Sequence, residues 1–126
     1  MFTDTHCHLT MLDLAPYGGD LDLALAQARE AGVSRFMSIS VDLDDHIQLA
    51  EIAARHADVG YSVGVHPCED PAVMARATTD CLVELAQPEK AWALGETGLD
   101  YFHSTDFIQE QKACFARHIH ASQIVK

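Results

Sequence analysis

Apolar and polar positions along this chain follow two periods in alternation, and the alternation repeats. Phe2 to His6 reads as a short strand, and the spacing from about Asp20 to Ala31 is helical, with Asp20 as N-cap and Gly32 just past the end. Arg35 to Val41 (Phe36, Met37, Ile39, Val41) reads as a second strand. It is followed by a helix from about Asp44 to His56 with Ile47, Ala50 and Ala54 on one face. Gly60 to Val65 gives a third strand, and Pro71 to Ala86 a third helix with Met74, Ala77, Cys81 and Leu85 at helical spacing. Ala91 to Gly95 gives a fourth strand, and Asp106 to His120 a fourth helix with Ile108, Phe115 and Ile119 facing inward. Strand ends recur about every 30 residues, the size of a βα unit. Strands such as Phe36 to Val41 and Tyr61 to Val65 are apolar on both faces, as parallel strands covered by helices are. The pattern predicts an α/β fold, (βα)₄, with residues 1–126 as a single unit.

Chemistry gathers at the carboxyl ends of these strands, where α/β enzymes place it. The first strand runs into His6 and His8, two imidazoles at i and i+2, so both lie on one face with Asp4 behind them. Two neutral imidazoles side by side suit a divalent ion, and a carboxylate on the same face is placed to orient them. The second strand ends near Ser40, the third at His66 of Gly64-Val65-His66-Pro67, and the fourth at Glu96 of Gly95-Glu96-Thr97-Gly98-Leu99-Asp100-Tyr101. Glycines at 95 and 98 suggest a backbone that packs closely and turns sharply to aim the Glu96 carboxylate. His46, His56, His118 and His120 fall in helical patterns, where solvated faces account for them.

Composition narrows the partners. With 48% hydrophobic and 21% charged residues, the chain has the make-up of a globular domain with a core. The net charge of −11 leaves no basic stripe for a general electrostatic grip on nucleic acid, so an anionic substrate would have to be met by metal ions. The four cysteines, Cys7, Cys68, Cys81 and Cys114, are irregularly spaced with no C-x-x-C pair, as expected of reduced, mostly structural thiols in a cytoplasmic protein. No secretory signal opens the chain and no apolar run reaches the roughly 18 residues of a membrane span, so no membrane partner is expected.

Asp4-Thr5-His6-Cys7-His8, Val63-Gly64-Val65-His66-Pro67, Gly95-Glu96-Thr97-Gly98-Leu99-Asp100-Tyr101 and the pattern Gln111, Phe115, His118 together resemble the TatD family of metal-dependent hydrolases. That family consists of phosphodiester-cleaving deoxyribonucleases on a TIM barrel. The resemblance implies DNA as substrate and two divalent ions (Mg²⁺, Mn²⁺ or Zn²⁺), with His6 and His8 as ligands of one metal. It makes Glu96 the bridging, catalytic carboxylate, and leaves Asp4, His66 and Asp100 as substrate-binding or supporting groups.

An eight-unit barrel needs roughly 250 residues, whereas this chain has 126, so the resemblance implies half a barrel. The family's two histidines from strands five and six, and its aspartate from strand eight, have no counterpart here. One metal's ligands and the bridging carboxylate remain, and turnover by the chain alone is expected to be impaired. A half barrel leaves two open edges and an uncovered face. Two copies closing an eight-stranded barrel, with the first strand of each beside the fourth of the other, would remedy this; so would a longer polypeptide. Two other readings stand beside the nuclease. One is a non-catalytic half barrel that binds metal or a partner. The other is a related amidohydrolase, which would place a lysine where Glu96 stands; Lys90 precedes the fourth strand and lies at the wrong end.

Overall fold

The computed structural model describes residues 1–125. Strands β1 (Phe2–Cys7), β2 (Val33–Ser38), β3 (Val59–Val63) and β4 (Ala91–Leu94) form one parallel sheet in the order β1-β2-β3-β4. Helices α1 (Leu21–Glu30) and α2 (Asp45–Arg55) follow β1 and β2, α3 (Pro71–Arg76) and α4 (Thr79–Leu85) follow β3, and α5 (Ile108–Ile124) follows β4. Four βα units are thus present, as the periodicity predicts. Asp20 caps α1 as expected, its carboxylate accepting the N–H groups of Asp22 and Leu23.

The core lies between sheet and helices, around Leu25, Phe36, Leu49, Val59, Tyr61 and Leu82. Burial of a side chain such as Leu49 stabilises the fold by about 1.5–3 kcal/mol. Every residue of β3 is buried, which is how a strand covered on both faces reads. At Gly60 an added Cβ would stand 2.0 Å from the Trp92 ring, so β4 packs its indole where β3 has no side chain.

Several local differences from the sequence reading come from side chains that bond distant or neighbouring backbone. The second strand ends at Ser38 rather than Val41, because the backbone of residues 39–41 leaves the ladder for other partners. His8 takes the Ile39 carbonyl, Ser62 Oγ the Ser40 N–H, and His66 N–H the Val41 carbonyl. The expected third helix is two helices. Thr78 starts the second by accepting the Cys81 N–H, and Arg117 draws off the carbonyls of Met74 and Ala77 at the end of the first.

Two helix faces also differ. In α2 the buried stripe is Leu49, Ile52 and Ala53, while Ile47 is 67% exposed and Ala54 is exposed. In α5 the buried stripe is Gln111, Cys114, His118 and Ala121, with Ile119 43% exposed. His118 therefore belongs to the interior, and the expectation of a solvated face fails there. Gln111 and His118 are buried because backbone groups, of the loops at Asp100 and Val65 and of α5 at Cys114, satisfy their polar atoms, which offsets the desolvation cost.

Candidate metal centre

The strand period carries His6 and His8 to the same side as β1 ends, with ring centroids 5.2 Å apart. Cys7, between them, points away and donates its thiol to the Met37 carbonyl. Burial, reinforced by Asp4, pushes that thiol up to about 12, so Cys7 is a structural group. Asp4 does not reach either imidazole; its Oδ1 accepts the backbone N–H of His6 at 3.1 Å and so stiffens the strand end. The group that orients an imidazole is a carbonyl instead. His8 Nδ1 lies 3.0 Å from Ile39 O, and because a carbonyl only accepts, Nδ1 carries the proton and Nε2 keeps its lone pair.

Glu96 reaches the two histidines from the other edge of the sheet. Gly64 and Gly95 make this possible: a Cβ on Gly64 would stand 2.5 Å from the Gly95 carbonyl carbon. The crossing is held by Gly95 N–H on Val63 O at 2.8 Å and Glu96 N–H on Ser40 O at 3.2 Å. Glu96 Oε2 then lies 3.4 Å from His6 Nε2 and 4.0 Å from His8 Nε2, while Oε1 is 3.8 Å from His66 Nε2. The carboxylate thus shows one oxygen to the histidine pair and the other to His66.

His66 presents the opposite tautomer. Its Nδ1 accepts the Cys68 N–H at 3.1 Å, so in the neutral ring Nε2 bears the hydrogen and faces Glu96 as a donor. At 3.8 Å it stands near the carboxylate without a hydrogen bond to it, and in this tautomer Nε2 has no lone pair to offer a metal. Buried His118, 2% exposed, supports His66 from behind. Its Nε2 accepts the Val65 N–H at 3.2 Å, one residue before His66, and its Nδ1 donates to Cys114 O at 2.8 Å. Burial holds His118 below the ordinary imidazole range, so it stays neutral and keeps the lone pair that this contact needs.

His6, His8, His66 and Glu96 line an open cavity of about 330 Å³ together with Met11, Val41 and Glu69, and among the described residues no lysine or arginine lines it. One donor atom each from His6, His8 and Glu96 falls within 4.8 Å of the others. Two imidazoles and a carboxylate so placed fit one divalent ion. Asp100 does not join this set. Its carboxylate turns to the loop, where the His103 N–H, the His103 ring and the Cys68 thiol hold it well below the usual carboxylate range. Lys90 lies at the opposite end of the sheet, its ammonium on the carbonyls of His56, Ala57 and Val59, which removes the lysine-based amidohydrolase reading.

The profile of the family described as "TatD related DNase" matches residues 3–126. The chain belongs to the TatD family. Among curated relatives, the "Uncharacterized metal-dependent hydrolase YcfH" of Escherichia coli K12 is 33% identical over 118 residues, covering 92% of this chain and 43% of the relative. The "3'-5' ssDNA/RNA exonuclease TatD" of Dickeya dadantii is 31% identical over 106 residues, covering 83% of this chain and 40% of the relative. The crystal structure of the Escherichia coli K12 TatD homologue YjjV superposes with a TM-score of 0.77 at 23% identity, over 98% of this chain and 47% of that one. A TatD family hydrolase from Entamoeba histolytica gives 0.77 at 24% identity, over 98% and 46%. The chain spans about half the length of the relatives it matches, and its four βα units correspond to half of the TatD barrel.

Three groups that build this candidate centre escape a reading of strand ends: the Ile39 carbonyl, the Ser40 carbonyl and His118. For His118 the signal is available, because Gln111, Cys114, His118 and Ala121 recur at 3- and 4-residue steps along α5. For the carbonyls no side-chain pattern exists.

Proposed function

We propose that this chain supplies half of the active site of a divalent-metal-dependent hydrolase that cleaves phosphodiester bonds of DNA. The observation that carries the reading is the convergence of His6, His8 and Glu96, with His8 fixed by Ile39 O so that Nε2 is free to coordinate. A divalent ion held there supplies Lewis-acid charge for a phosphodiester. This chain's own residues do the rest. His6, His8 and Glu96 would hold the ion, with one Glu96 oxygen nearest the histidine pair and the other turned toward His66. His66 Nε2–H, which faces the same cavity, offers a donor to a phosphate oxygen. With a net charge of −11 and no cationic side chain among the described residues lining the cavity, attraction for an anion would come from metal.

The remaining ligands and the water-activating carboxylate would come from a second copy of the chain, closing the barrel by β1 against β4, or from further polypeptide. The test is cleavage of labelled single-stranded and duplex DNA with Mn²⁺, Mg²⁺ or Zn²⁺. The chain alone should act about 10² to 10⁴-fold more slowly than a full-length TatD relative, the cost of a missing general base. Glu96→Gln should abolish the remainder. Cleavage indifferent to Glu96→Gln and to chelation would defeat the proposal. If metal binds through His6, His8 and Glu96 but no turnover is measurable, the non-catalytic reading replaces it.

A further inference from the structure

The loops after β3 and β4 meet a second time, outside the His6, His8 and Glu96 set. Cys68 Sγ lies 3.3 Å from Asp100 Oδ2, and His103 Nδ1 lies 2.7 Å from the same oxygen. One donor atom from each of the three residues lies within 4.8 Å of the others. The two Asp100 oxygens divide their duties. Oδ1 accepts the N–H groups of Phe102 at 2.9 Å and His103 at 3.0 Å and so builds the turn, while Oδ2, among the described residues, meets only the side chains of Cys68 and His103. Each of those two groups is itself a metal donor.

The cluster rests on fixed backbone. Gln111, 1% exposed on α5, accepts the Asp100 N–H at 2.8 Å and donates to the Asp100 carbonyl at 2.9 Å. On the other loop, the Cys68 N–H is held by His66 Nδ1. The Cys68 and His103 side chains are exposed, so an ion can reach them from solvent. A thiol, an imidazole and a carboxylate together select a borderline-soft ion: Mg²⁺ and Ca²⁺ take oxygen donors, while Zn²⁺ takes all three types and accepts four ligands in a tetrahedron. Three protein donors leave one position open to solvent, or to a substrate oxygen at the same end of the barrel.

We propose that Cys68, Asp100 and His103 form a second metal site, for a borderline-soft divalent ion of the zinc class, distinct from the site at His6, His8 and Glu96. On binding, the Cys68 S–H bond breaks, its proton passes to buffer, and a sulfur–metal bond forms. The His103 proton moves from Nδ1 to Nε2, freeing the Nδ1 lone pair, and Asp100 Oδ2 exchanges two hydrogen bonds for the ion.

Cobalt(II) titration of the full chain tests this, because a thiolate ligand gives a near-ultraviolet charge-transfer band that a site of two histidines and a carboxylate lacks. Wild type should show the band, rising to saturation. Cys68→Ser should abolish it, and His103→Ala should weaken the cobalt affinity read from it by about 10-fold or more, the scale at which a lost site partner acts. The band should persist in a His6→Ala, His8→Ala double variant, which keeps this proposal separate from the proposed active site. No band in wild type, or a band that survives Cys68→Ser, would overturn the assignment. Both single substitutions lie on exposed side chains, and circular dichroism checks that each variant is folded.

Discussion

Strands β3 and β1 are built on opposite terms. All five residues of β3 are buried, whereas four of the six positions in β1 are exposed, and β4 has its Trp92 41% exposed. Yet the candidate donors come from the edges of the sheet, His6 from β1, His8 from one residue past it and Glu96 from just past β4. The middle strands and their extensions supply carbonyls instead: Ile39 for His8, Ser40 for the Glu96 N–H, Val63 for the Gly95 N–H. In this half barrel the buried centre is a frame that pulls two exposed edges together, and the chemistry sits where the edges leave the sheet. Damage to the frame should therefore cost stability and metal binding together, while damage at the edges should cost binding alone.

The sharpest break in that comparison is at Gly64. A side chain there meets the Gly95 backbone, which has no rotamer with which to yield, so Gly64→Val must push the end of β4 away. Overpacking a well-filled interior costs about 1–3 kcal/mol, and contact with backbone puts this variant at or above the upper end. Metal binding should be lost as Glu96 withdraws from His6 and His8. Urea unfolding alongside Zn²⁺ titration measures both; unchanged stability and affinity would show that the close approach of β3 and β4 does not place Glu96.

His118→Ala comes next, since it leaves the buried Val65 N–H without its acceptor at a cost of about 1–3 kcal/mol. The same residue predicts a pH dependence. Burial lowers the folded-state pKa of His118 below the unfolded value of about 6.5, with Arg117 acting in the same direction. Below that pH the unfolded chain binds the proton that the folded chain refuses. Stability is therefore full above about pH 6.5 and falls as pH drops through the folded-state value. Metal-free protein should show this loss, and His118→Gln should flatten it while lowering stability throughout. Identical slopes in the two proteins would assign the pH dependence to other groups.

The order and number of βα units, the Asp20 cap and the convergence of His6, His8 and Glu96 are legible because side-chain period and strand-end position carry them. The phase of a helix is harder. In α5, apolar Ile108, Phe115 and Ile119 suggest one face, but Gln111 and His118 lie inside because Asp100 and Val65 complete their hydrogen bonds. A pattern that scores polar residues as surface misplaces any polar group whose partner lies far along the chain. The shortened second strand has the same origin, as the backbone of Ile39, Ser40 and Val41 pairs with His8, Ser62, Glu96 and His66 across 22 or more positions of sequence.

At the edges the expectation reverses. The double variant His6→Ala, His8→Ala should weaken Zn²⁺ or Mn²⁺ by about 10-fold or more. The stability of the metal-free fold should change by less than about 1 kcal/mol, because both side chains are partly solvated. Calorimetric titration reads the first and urea unfolding the second. An unaltered affinity would remove His6 and His8 from the centre, and a large loss of stability would place β1 in the frame rather than at its edge.

The smallest effect on the fold, and the one that separates the two edges from each other, concerns assembly. Beside β4 a shallow groove of about 300 Å³ is lined by Ala86, Ala91, Trp92, Leu94 and Val125 with Ser122, and exposed Ile119 and half-buried Phe115 continue it along α5. The β1 edge is more polar, with Thr3, Thr5 and His6 exposed beside Phe2. An apolar edge strand with unpaired backbone groups favours pairing with another chain, and two-fold closure is the commonest form such pairing takes. At micromolar concentration the chain should thus run as a dimer or larger species rather than at its monomer mass of 13.8 kDa. Ile119→Glu, on the exposed surface, should leave urea stability at high dilution within about 0.5 kcal/mol and shift the population toward monomer. Light scattering coupled to size exclusion decides it: a folded wild-type monomer under these conditions would mean that the β4 edge is tolerated in water and that nothing in this half of the barrel drives closure.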